Sequence, residues 1–331
     1  MTLKWGIVGA GRISHDFVTA LHLLPKEDHQ VVAIAGRNKE NVEKFATRHG
    51  IPKTYHDYSL LAKDTEVGIV YIGNLNTQHF EVSRLMLEHN KNVLCEKPFT
   101  INEKQTAKLV EISKKKKLFL MEAIWSRCFP AYKKMKEIID SQEIGDILFC
   151  SVHFGHALQH VERLISKDMG GGAILDLGIY ILQFQQYVFR GLKPIEIAIN
   201  GHKNSQGTDE SAGAIITYPD GKMAIVSTSA RVSMPNEGIV VGTKGTIRMP
   251  LFWCPTQLIT PKETYEWPLP ESPTEFLHIN SAGLMYEAEE AKRCIENGLI
   301  ESPQITHEES IEIARLMDFM RKQLDVIFPE D

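Results

Sequence analysis

The sequence lacks several features that would assign it to a common class of protein. Its five cysteines are odd in number and widely spaced, without the paired spacing of a metal site, which favours reduced thiols in the cytoplasm. No apolar run approaches the roughly 20 residues that a membrane-spanning helix needs. Neither sign of charge dominates, since 37 basic side chains are mixed with 42 acidic ones for a net charge of −5. Nucleic acids and anionic membranes both bind basic surfaces, so neither is expected as a partner.

The start of the chain leaves no room for a signal peptide, because it runs almost directly into an apolar segment, Leu3–Val8. We therefore expect a cytoplasmic globular protein, in line with its 43% hydrophobic and 24% charged residues. A chain of 331 residues exceeds what one hydrophobic core usually organises, which predicts two domains.

Short apolar runs alternate with helical patterns through residues 1–124, which predicts parallel strands joined by crossover helices. The predicted strands are Leu3–Val8, 31–35, 67–72, 92–95 and 118–121. Right-handed crossovers give such strands a doubly wound parallel sheet, so the first domain is α/β.

The pattern changes near Trp125, where we place the boundary to a second domain, 125–331. A helix over 173–189 follows the triple glycine Gly170-Gly171-Gly172. Short alternating segments separated by turns then follow without helices between them, near 194–203, 211–218, 222–233, 238–242 and 246–249. They predict a largely antiparallel open sheet, and two helices near 283–297 and 307–326 make this domain α+β.

A glycine-rich segment directly follows the first predicted strand and opens the first helix. It reads Gly9-Ala10-Gly11-Arg12-Ile13-Ser14, a dinucleotide-binding fingerprint of the Rossmann type in the context that the motif requires. Gly9 allows the tight turn, and Gly11 lets the backbone approach a pyrophosphate at the helix N-terminus. Ser14 replaces the third glycine and is small enough for close packing of helix and strand.

The end of the second strand indicates which dinucleotide binds. NAD sites usually place Asp or Glu there to hold the ribose 2′-hydroxyl. This strand ends Ala35-Gly36-Arg37-Asn38, without a carboxylate and with an arginine that can pair with a 2′-phosphate. The expected cofactor is therefore NADP, bound in part by Arg37 and Asn38.

Two further loops follow strand ends on the expected ligand side of the sheet. Asn74 and His79 belong to the first, and His79 is expected at the nicotinamide ribose. The alternative for this loop is that Asn76 or Thr77 only caps the next helix. Glu96-Lys97-Pro98 belongs to the second, where a buried charged pair is unfavourable unless it is used or forms a structural salt bridge.

The helix after the triple glycine carries a polar pair on an otherwise apolar surface. Asp176 and Tyr180 are four residues apart and share one helix face. They could form an internal hydrogen bond, or they could act on a substrate if Lys97 meets them across the domain cleft.

The chain resembles the Gfo/Idh/MocA oxidoreductase family. The glycine fingerprint and Glu96-Lys97-Pro98 carry that resemblance. Within the family, the chain is most similar to the dihydrodiol dehydrogenase branch, also described as NADP-dependent D-xylose dehydrogenases. The matching stretches are 118–125, 175–180, 241–245 and 286–288, so the similarity spans essentially the whole chain.

The resemblance implies a dehydrogenase that moves hydride between NADP and a carbinol of a sugar, such as D-xylose oxidised at C1 to its lactone, or of a trans-dihydrodiol. It implies that Lys97 and Tyr180 are catalytic with Asp176 nearby, and that Trp125 and Phe154 line the substrate pocket. It also implies a homodimer through the C-terminal sheet. The competing hypothesis is a non-catalytic NADP-binding sensor of the same fold.

The chain departs from these relatives at two places. A second arginine often follows four residues after the equivalent of Arg37, where this chain has Asn41. A phenylalanine of the pocket precedes the equivalent of Ala282-Gly283, where this chain offers Phe276 or His278. No metal site is expected, because His153, His156 and His160 lie across a predicted strand and loop instead of one helical face.

Overall fold

The computed structural model describes residues 2–331. They form two compact units. The first unit contains the residues up to Thr100, Lys104–Cys128 and Leu269–Ile311. The second unit contains Ile101–Glu103, Phe129–Pro268 and Glu312–Asp331. No helix in the described part of the chain is long and apolar enough to cross a membrane.

The first unit is built on a six-stranded parallel sheet in the order β3-β2-β1-β4-β5-β6. Its strands are β1 (Leu3–Val8), β2 (His29–Ala35), β3 (Lys53–Tyr55), β4 (Ile69–Ile72), β5 (Asn92–Glu96) and β6 (Leu120–Ala123). Every residue of β4 and β6 is buried, as expected for parallel strands that are covered on both faces. The sequence order reverses between β1 and β4, the type of position where doubly wound sheets bind their ligands.

Helices cover both faces of this sheet and complete the first unit. They are α1 (Arg12–Leu21), α2 (Lys39–His49), α3 (Tyr58–Lys63), α4 (Asn76–Glu88), α5 (Glu103–Lys116) and, later in the chain, α9 (Leu284–Glu296). The amphipathic pattern of α1 buries Phe17, Val18 and Leu21. The doubly wound α/β sheet predicted from the sequence is confirmed, with β3 as the one strand that the pattern missed.

The second unit is built on an eight-stranded sheet in the order β14-β13-β12-β11-β7-β10-β9-β8. Its strands are β7 (Ile147–Gly155), β8 (Glu196–Lys203), β9 (Asp209–Thr217), β10 (Met223–Ser229), β11 (Glu237–Gly242), β12 (Gly245–Pro250), β13 (Gln257–Ile259) and β14 (Thr264–Glu266). Only β7 and β10 pair in parallel, so the predicted largely antiparallel sheet is also confirmed.

The remaining α-helices of the described chain are α6 (Pro130–Asp140), α7 (Glu162–Ile165), α8 (Ile179–Val188) and α10 (His307–Gln323). Helix α8 packs on β7 and β10. The single helix predicted over 173–189 is divided, because a π-helix over Ile174–Gly178 precedes α8.

The predicted domains, 1–124 and 125–331, differ from the compact units at three segments. Ile101–Glu103 belongs to the second unit, and residues 125–128 belong to the first. Residues 269–311 belong to the first unit, because α9 packs against α1 there. The sequence pattern places this helix after the antiparallel strands, and it contains no signal for the unit that the helix joins.

Candidate active site

The glycine-rich turn between β1 and α1 brings two loops of the first unit into contact. Gly9 has φ +94°, and a Cβ there would lie 3.0 Å from the oxygen of Gly73, just after β4. Only a glycine tolerates both the backbone angle and this approach. Helix α1 begins at Arg12 after Gly11, without a side-chain cap. Its first N–H groups can therefore hold an anion, and this cradle fits a pyrophosphate.

Ser14 takes the place of the third glycine of the fingerprint by packing against Gly73. Ser14 is fully buried, and a Cβ on Gly73 would lie 2.5 Å from its hydroxyl oxygen. The close approach of helix and strand that normally needs a glycine on the helix is therefore provided by a glycine after β4.

The carboxyl end of β2 presents the predicted arginine. Arg37 is exposed, and it forms no ion pair with any other residue between 2 and 331. Asn38 is the N-cap of α2, since its side chain accepts a hydrogen bond of 3.0 Å from the N–H of Asn41. The residues that directly follow β2, Gly36, Arg37 and Asn38, include no carboxylate, which an NAD site usually has there.

The loop after β4 contains an acceptor without a partner. Asn74 donates to Gln78 at 3.0 Å, whereas its own side-chain oxygen is buried and has no partner among the residues described. Its backbone nitrogen is one of the atoms that a Cβ on Gly9 would meet, at 3.1 Å. A donor group of a dinucleotide at Gly9 would satisfy this oxygen.

Both ring nitrogens of His79 lie against backbone carbonyl groups, whereas the sequence predicts a contact with the nicotinamide ribose. It is 1% exposed, and its ring nitrogens lie 2.8 Å from the carbonyl of Pro98 and 3.2 Å from that of Asn74. Burial lowers its pKa to about 4, so the ring is neutral at physiological pH. Neither nitrogen is left for a ribose hydroxyl, and His79 instead ties the loop after β4 to the loop after β5. Asn76 accepts from the N–H of Thr77 at 2.9 Å, but the N-cap residue of α4 is Leu75, which makes no side-chain capping hydrogen bond.

Strand β5 ends at a buried carboxyl group. Glu96 accepts hydrogen bonds from the Tyr71 hydroxyl at 2.6 Å and from the backbone N–H of Lys97 at 3.2 Å. Burial raises the pKa of Glu96. Lys97 follows at the carboxyl edge of the sheet and is partly exposed.

A second buried carboxyl group, Glu287 of α9, interacts electrostatically with Glu96. Glu287 is 0% exposed, and neither of its oxygens has a hydrogen-bond partner within the described chain. Burial, together with the nearby Glu96, raises the pKa of Glu287 well above its ordinary value, so this group is uncharged.

The segment before α9 is fixed to α1 by Asp16. This buried carboxylate accepts from the N–H of Leu277 at 2.8 Å, from the hydroxyl of Ser281 at 2.7 Å and from the ring of His278 at 2.8 Å. Burial acts to raise the pKa of Asp16, but these hydrogen bonds hold it below its ordinary value. The His278 side chain remains 46% exposed, and Phe276 is partly buried.

The second unit brings together three of the predicted side chains. Tyr180 is 6% exposed, and its ring meets that of Phe154 edge-on with centroids 5.4 Å apart. Asp176, in the π-helix, accepts a hydrogen bond of 2.9 Å from Arg163 of α7. The fourth residue predicted for the substrate, Trp125, lies in a short 3-10 helix of the first unit and is 7% exposed.

Sequence reasoning missed three other residues of this cluster. Trp253 and His156 extend the ring wall, with centroids 4.6 Å and 5.2 Å from that of Phe154. Arg163 supplies the positive charge beside Asp176. None of the three has a local motif, since each reaches the cluster through tertiary packing. Between residues 2 and 331, no group of three or more His, Cys, Asp or Glu side chains is arranged to hold a metal ion.

A Rossmann-like parallel sheet with this glycine turn defines the first unit as a nicotinamide dinucleotide-binding fold. Residues 3–124 match the family model described as oxidoreductase family, NAD-binding Rossmann fold, and residues 132–248 match that of the GFO/IDH/MocA C-terminal domain. The chain belongs to the Gfo/Idh/MocA family of NAD(P)-binding oxidoreductases.

Two similar proteins are trans-1,2-dihydrobenzene-1,2-diol dehydrogenases. That of Danio rerio is 40% identical over 332 residues, covering 100% of this chain and 99% of its own. That of Homo sapiens is 40% identical over 333 residues, with the same coverage. These relatives support a dehydrogenase activity for the chain.

Solved structures share the fold at low sequence identity. A levoglucosan dehydrogenase in complex with NADH and levoglucosan superposes with a TM-score of 0.85 at 18% identity, covering 98% of both chains. The 3-ketoreductase KijD10 from Actinomadura kijaniata, in complex with NADP and TDP-benzene, gives 0.81 at 22% identity, covering 97% of this chain and 98% of its own.

Proposed function

We propose that the chain is an NADP-dependent dehydrogenase that oxidises a carbinol of a sugar or of a trans-dihydrodiol, with Tyr180 as general base and Lys97 as its electrostatic partner. The observation that carries the proposal is the contact of Tyr180 with Phe154, on the unit where Asp176 is ion-paired with Arg163. A phenol on a wall of rings, with a carboxylate one helical turn away, suits a ring-shaped substrate that has hydroxyl groups and apolar faces.

In this mechanism, Tyr180 takes the proton of the reacting hydroxyl group. The Lys97 ammonium favours the phenolate form that this step needs, since an opposite charge stabilises an anion. Asp176, held by Arg163, orients a second hydroxyl of the substrate, and Trp125 and Phe154 pack against its apolar faces. When bound, the nicotinamide ring supplies the acceptor for the hydride that leaves the carbinol carbon.

The preference for NADP follows from the end of β2. Arg37 is an exposed arginine without an ion pair in the described chain, and the residues directly after β2 include no carboxylate that would repel a 2′-phosphate. Gly9, Ala10, Gly11, Arg12 and Ile13 would hold the pyrophosphate. Asn74 would offer its side-chain oxygen, and Glu96 would hold the backbone of Lys97 in place.

The second sheet supports a homodimer. Leu148, Ile195 and Ile215 are 41%, 70% and 45% exposed, and all three lie on or next to strands of this sheet. A partner sheet would remove this apolar surface from water. Light scattering at micromolar concentration should give twice the chain mass, and a monomer would end this part of the proposal. All five cysteines are buried thiols, which is compatible with a reducing cytoplasm.

A substrate panel tests the activity directly. NADP⁺ and NAD⁺ reduction should be followed with D-xylose, D-glucose and a trans-dihydrodiol of benzene. We expect turnover with at least one of them, faster with NADP⁺. Tight NADP binding without turnover on any sugar or diol would favour the alternative, a non-catalytic sensor of the same fold.

A further inference from the structure

The third glycine of Gly170-Gly171-Gly172 makes room for a carboxyl group from another element. Gly172 has φ +124°, and a Cβ there would lie 2.5 Å from a carboxyl oxygen of Asp209. Asp209 is the first residue of β9 and is 1% exposed. Both the backbone angle and this contact require glycine at position 172.

Asp209 binds the start of the helix that carries the proposed catalytic groups. Its Oδ2 accepts a hydrogen bond of 2.6 Å from the N–H of Ile174, the first residue of the π-helix. The helix has no cap from its own N-terminal residue, Ala173. A carboxylate at a helix start satisfies free N–H groups and complements the helix dipole. Here the carboxylate comes from a strand 35 residues further along the chain.

The helix start determines where the two functional side chains point. Asp176 lies in the π-helix, and Tyr180 follows at the beginning of α8. A π-helix turns less per residue than an α-helix, so the position at which it begins sets the direction of both side chains. π-Helical turns occur frequently at functional sites.

We infer that Asp209 is a positioning residue, whose carboxylate fixes the start of the π-helix and thereby the orientation of Asp176 and Tyr180. The inference rests on the proposed function, in which Tyr180 is the base.

The charge of Asp209 is unfavourable for folding. Burial raises its pKa to about 6, although the N–H groups of Ile174 and Ala173 and the positive charge of Arg321 act in the opposite direction. Arg321 is itself paired with Asp318 and Asp331. Because the folded protein holds this proton more tightly than the unfolded chain does, ionisation lowers stability as the pH rises from about 4 to about 6. An asparagine removes this charge, and its neutral oxygen is a weaker acceptor for the N–H of Ile174 than a carboxylate oxygen is.

The test compares Asp209→Asn with Asp220→Asn, the same change in an exposed turn of the same unit. For Asp209→Asn we expect kcat to fall by up to ~10²-fold, the scale of a misplaced catalytic group. The KM for NADP should stay within twofold, and the melting temperature at pH 7.5 should not fall. In the wild type, kcat should decline below about pH 6 as Asp209 gains its proton, and this limb should be absent from the variant. Asp220→Asn should change none of these quantities.

Hydrogen exchange of the peptide that contains residues 173–180 gives a readout that does not depend on catalysis. Asp209→Asn should speed this exchange at pH 7.5, and Gly172→Ala, which displaces the carboxylate, should do the same. If Tyr180→Phe kept its activity while the exchange effect persisted, the base assignment would fail and the helix contact would stand. Unchanged kcat in Asp209→Asn, or parallel losses of kcat and melting temperature, would overturn the inference. Failure of this variant to fold would also overturn it.

Discussion

Two carboxyl groups, one from each unit, are buried in different ways. In the first unit, Glu287 is fully buried without a partner in the described chain, and burial leaves it uncharged. In the second unit, Asp176 is paired with the half-exposed Arg163. A carboxyl group that burial keeps neutral has a structural role. A carboxylate that a counter-charge holds near solvent can act on a ligand. This difference supports the proposal that the second unit provides the acid–base chemistry, whereas the first unit has the dinucleotide-binding fold.

Replacing Tyr180 should have the largest effect on activity, and it tests the proposed acid–base role of the second unit. Tyr180→Phe keeps the ring and its contact with Phe154 but removes the group that takes the proton. Because loss of a general base typically lowers rates 10²–10⁴-fold, kcat should fall by about that factor. The KM for NADP should hardly change. Steady-state kinetics on the best substrate of the panel measures both, with Tyr265→Phe on β14 as the control for loss of a phenol in the same unit. Near-normal kcat would make Asp176 the leading candidate for the base.

A double variant tests whether Lys97 and Tyr180 act together. Lys97→Met should also lower kcat strongly, because the charge that favours the phenolate is lost. The penalties should not add, since residues that act as one unit lose their joint effect once. The double variant should therefore be little worse than the worse single variant. Multiplied losses would show that the two side chains act independently.

The fold and the dinucleotide turn could be predicted because their signals are local. The strands of the first unit are continuous apolar runs, and Gly9 and Gly11 are adjacent in sequence to the helix that they open. The reason Ser14 replaces a glycine could not be predicted, because it depends on Gly73, which follows another strand. The position of the His79 ring could not be predicted either, because it depends on a contact with the carbonyl of Pro98 in another loop.

The second unit shows the same limit more clearly. Asp176 and Tyr180 were identified by their spacing and by resemblance, but the partner of Asp176 lies 13 residues away on another helix. The carboxylate that binds the start of their helix comes from a strand. Alternation of apolar residues predicts which face of a strand is buried, but it does not show which distant side chain meets a helix end.

Replacing Arg37 should have the next largest effect, and it tests the cofactor preference of the first unit. Arg37→Ala should raise the KM for NADP roughly 10- to 100-fold and leave that for NAD nearly unchanged. The lost contact is a charged hydrogen bond to the 2′-phosphate, worth about 1.5–3 kcal/mol. Arg48→Ala, at an exposed arginine of α2, is the matched control. Equal effects on both cofactors would mean that Arg37 has a structural role or contacts another group.

A change at Glu287 should have the smallest effect on activity, because burial without a hydrogen-bond partner favours the neutral form of this group. Glu287→Gln has nearly the same shape and no charge, so kcat should stay within about twofold of the wild type. The raised pKa means that Glu287 stabilises the folded wild type most at low pH, and that this contribution is lost as the pH rises above the unfolded value near 4.5.

Glutamine does not titrate, so its contribution to stability does not change with pH. The melting temperature of Glu287→Gln should therefore rise relative to that of the wild type between pH 5 and pH 8. A difference of about 1 kcal/mol corresponds to roughly 2–4 °C in a unit of this size. Glu289→Gln, at an exposed position of the same helix, should show no such trend. A large loss of stability in Glu287→Gln at pH 8 would mean that Glu287 carries a charge that the fold requires, and the contrast between the two units would not hold.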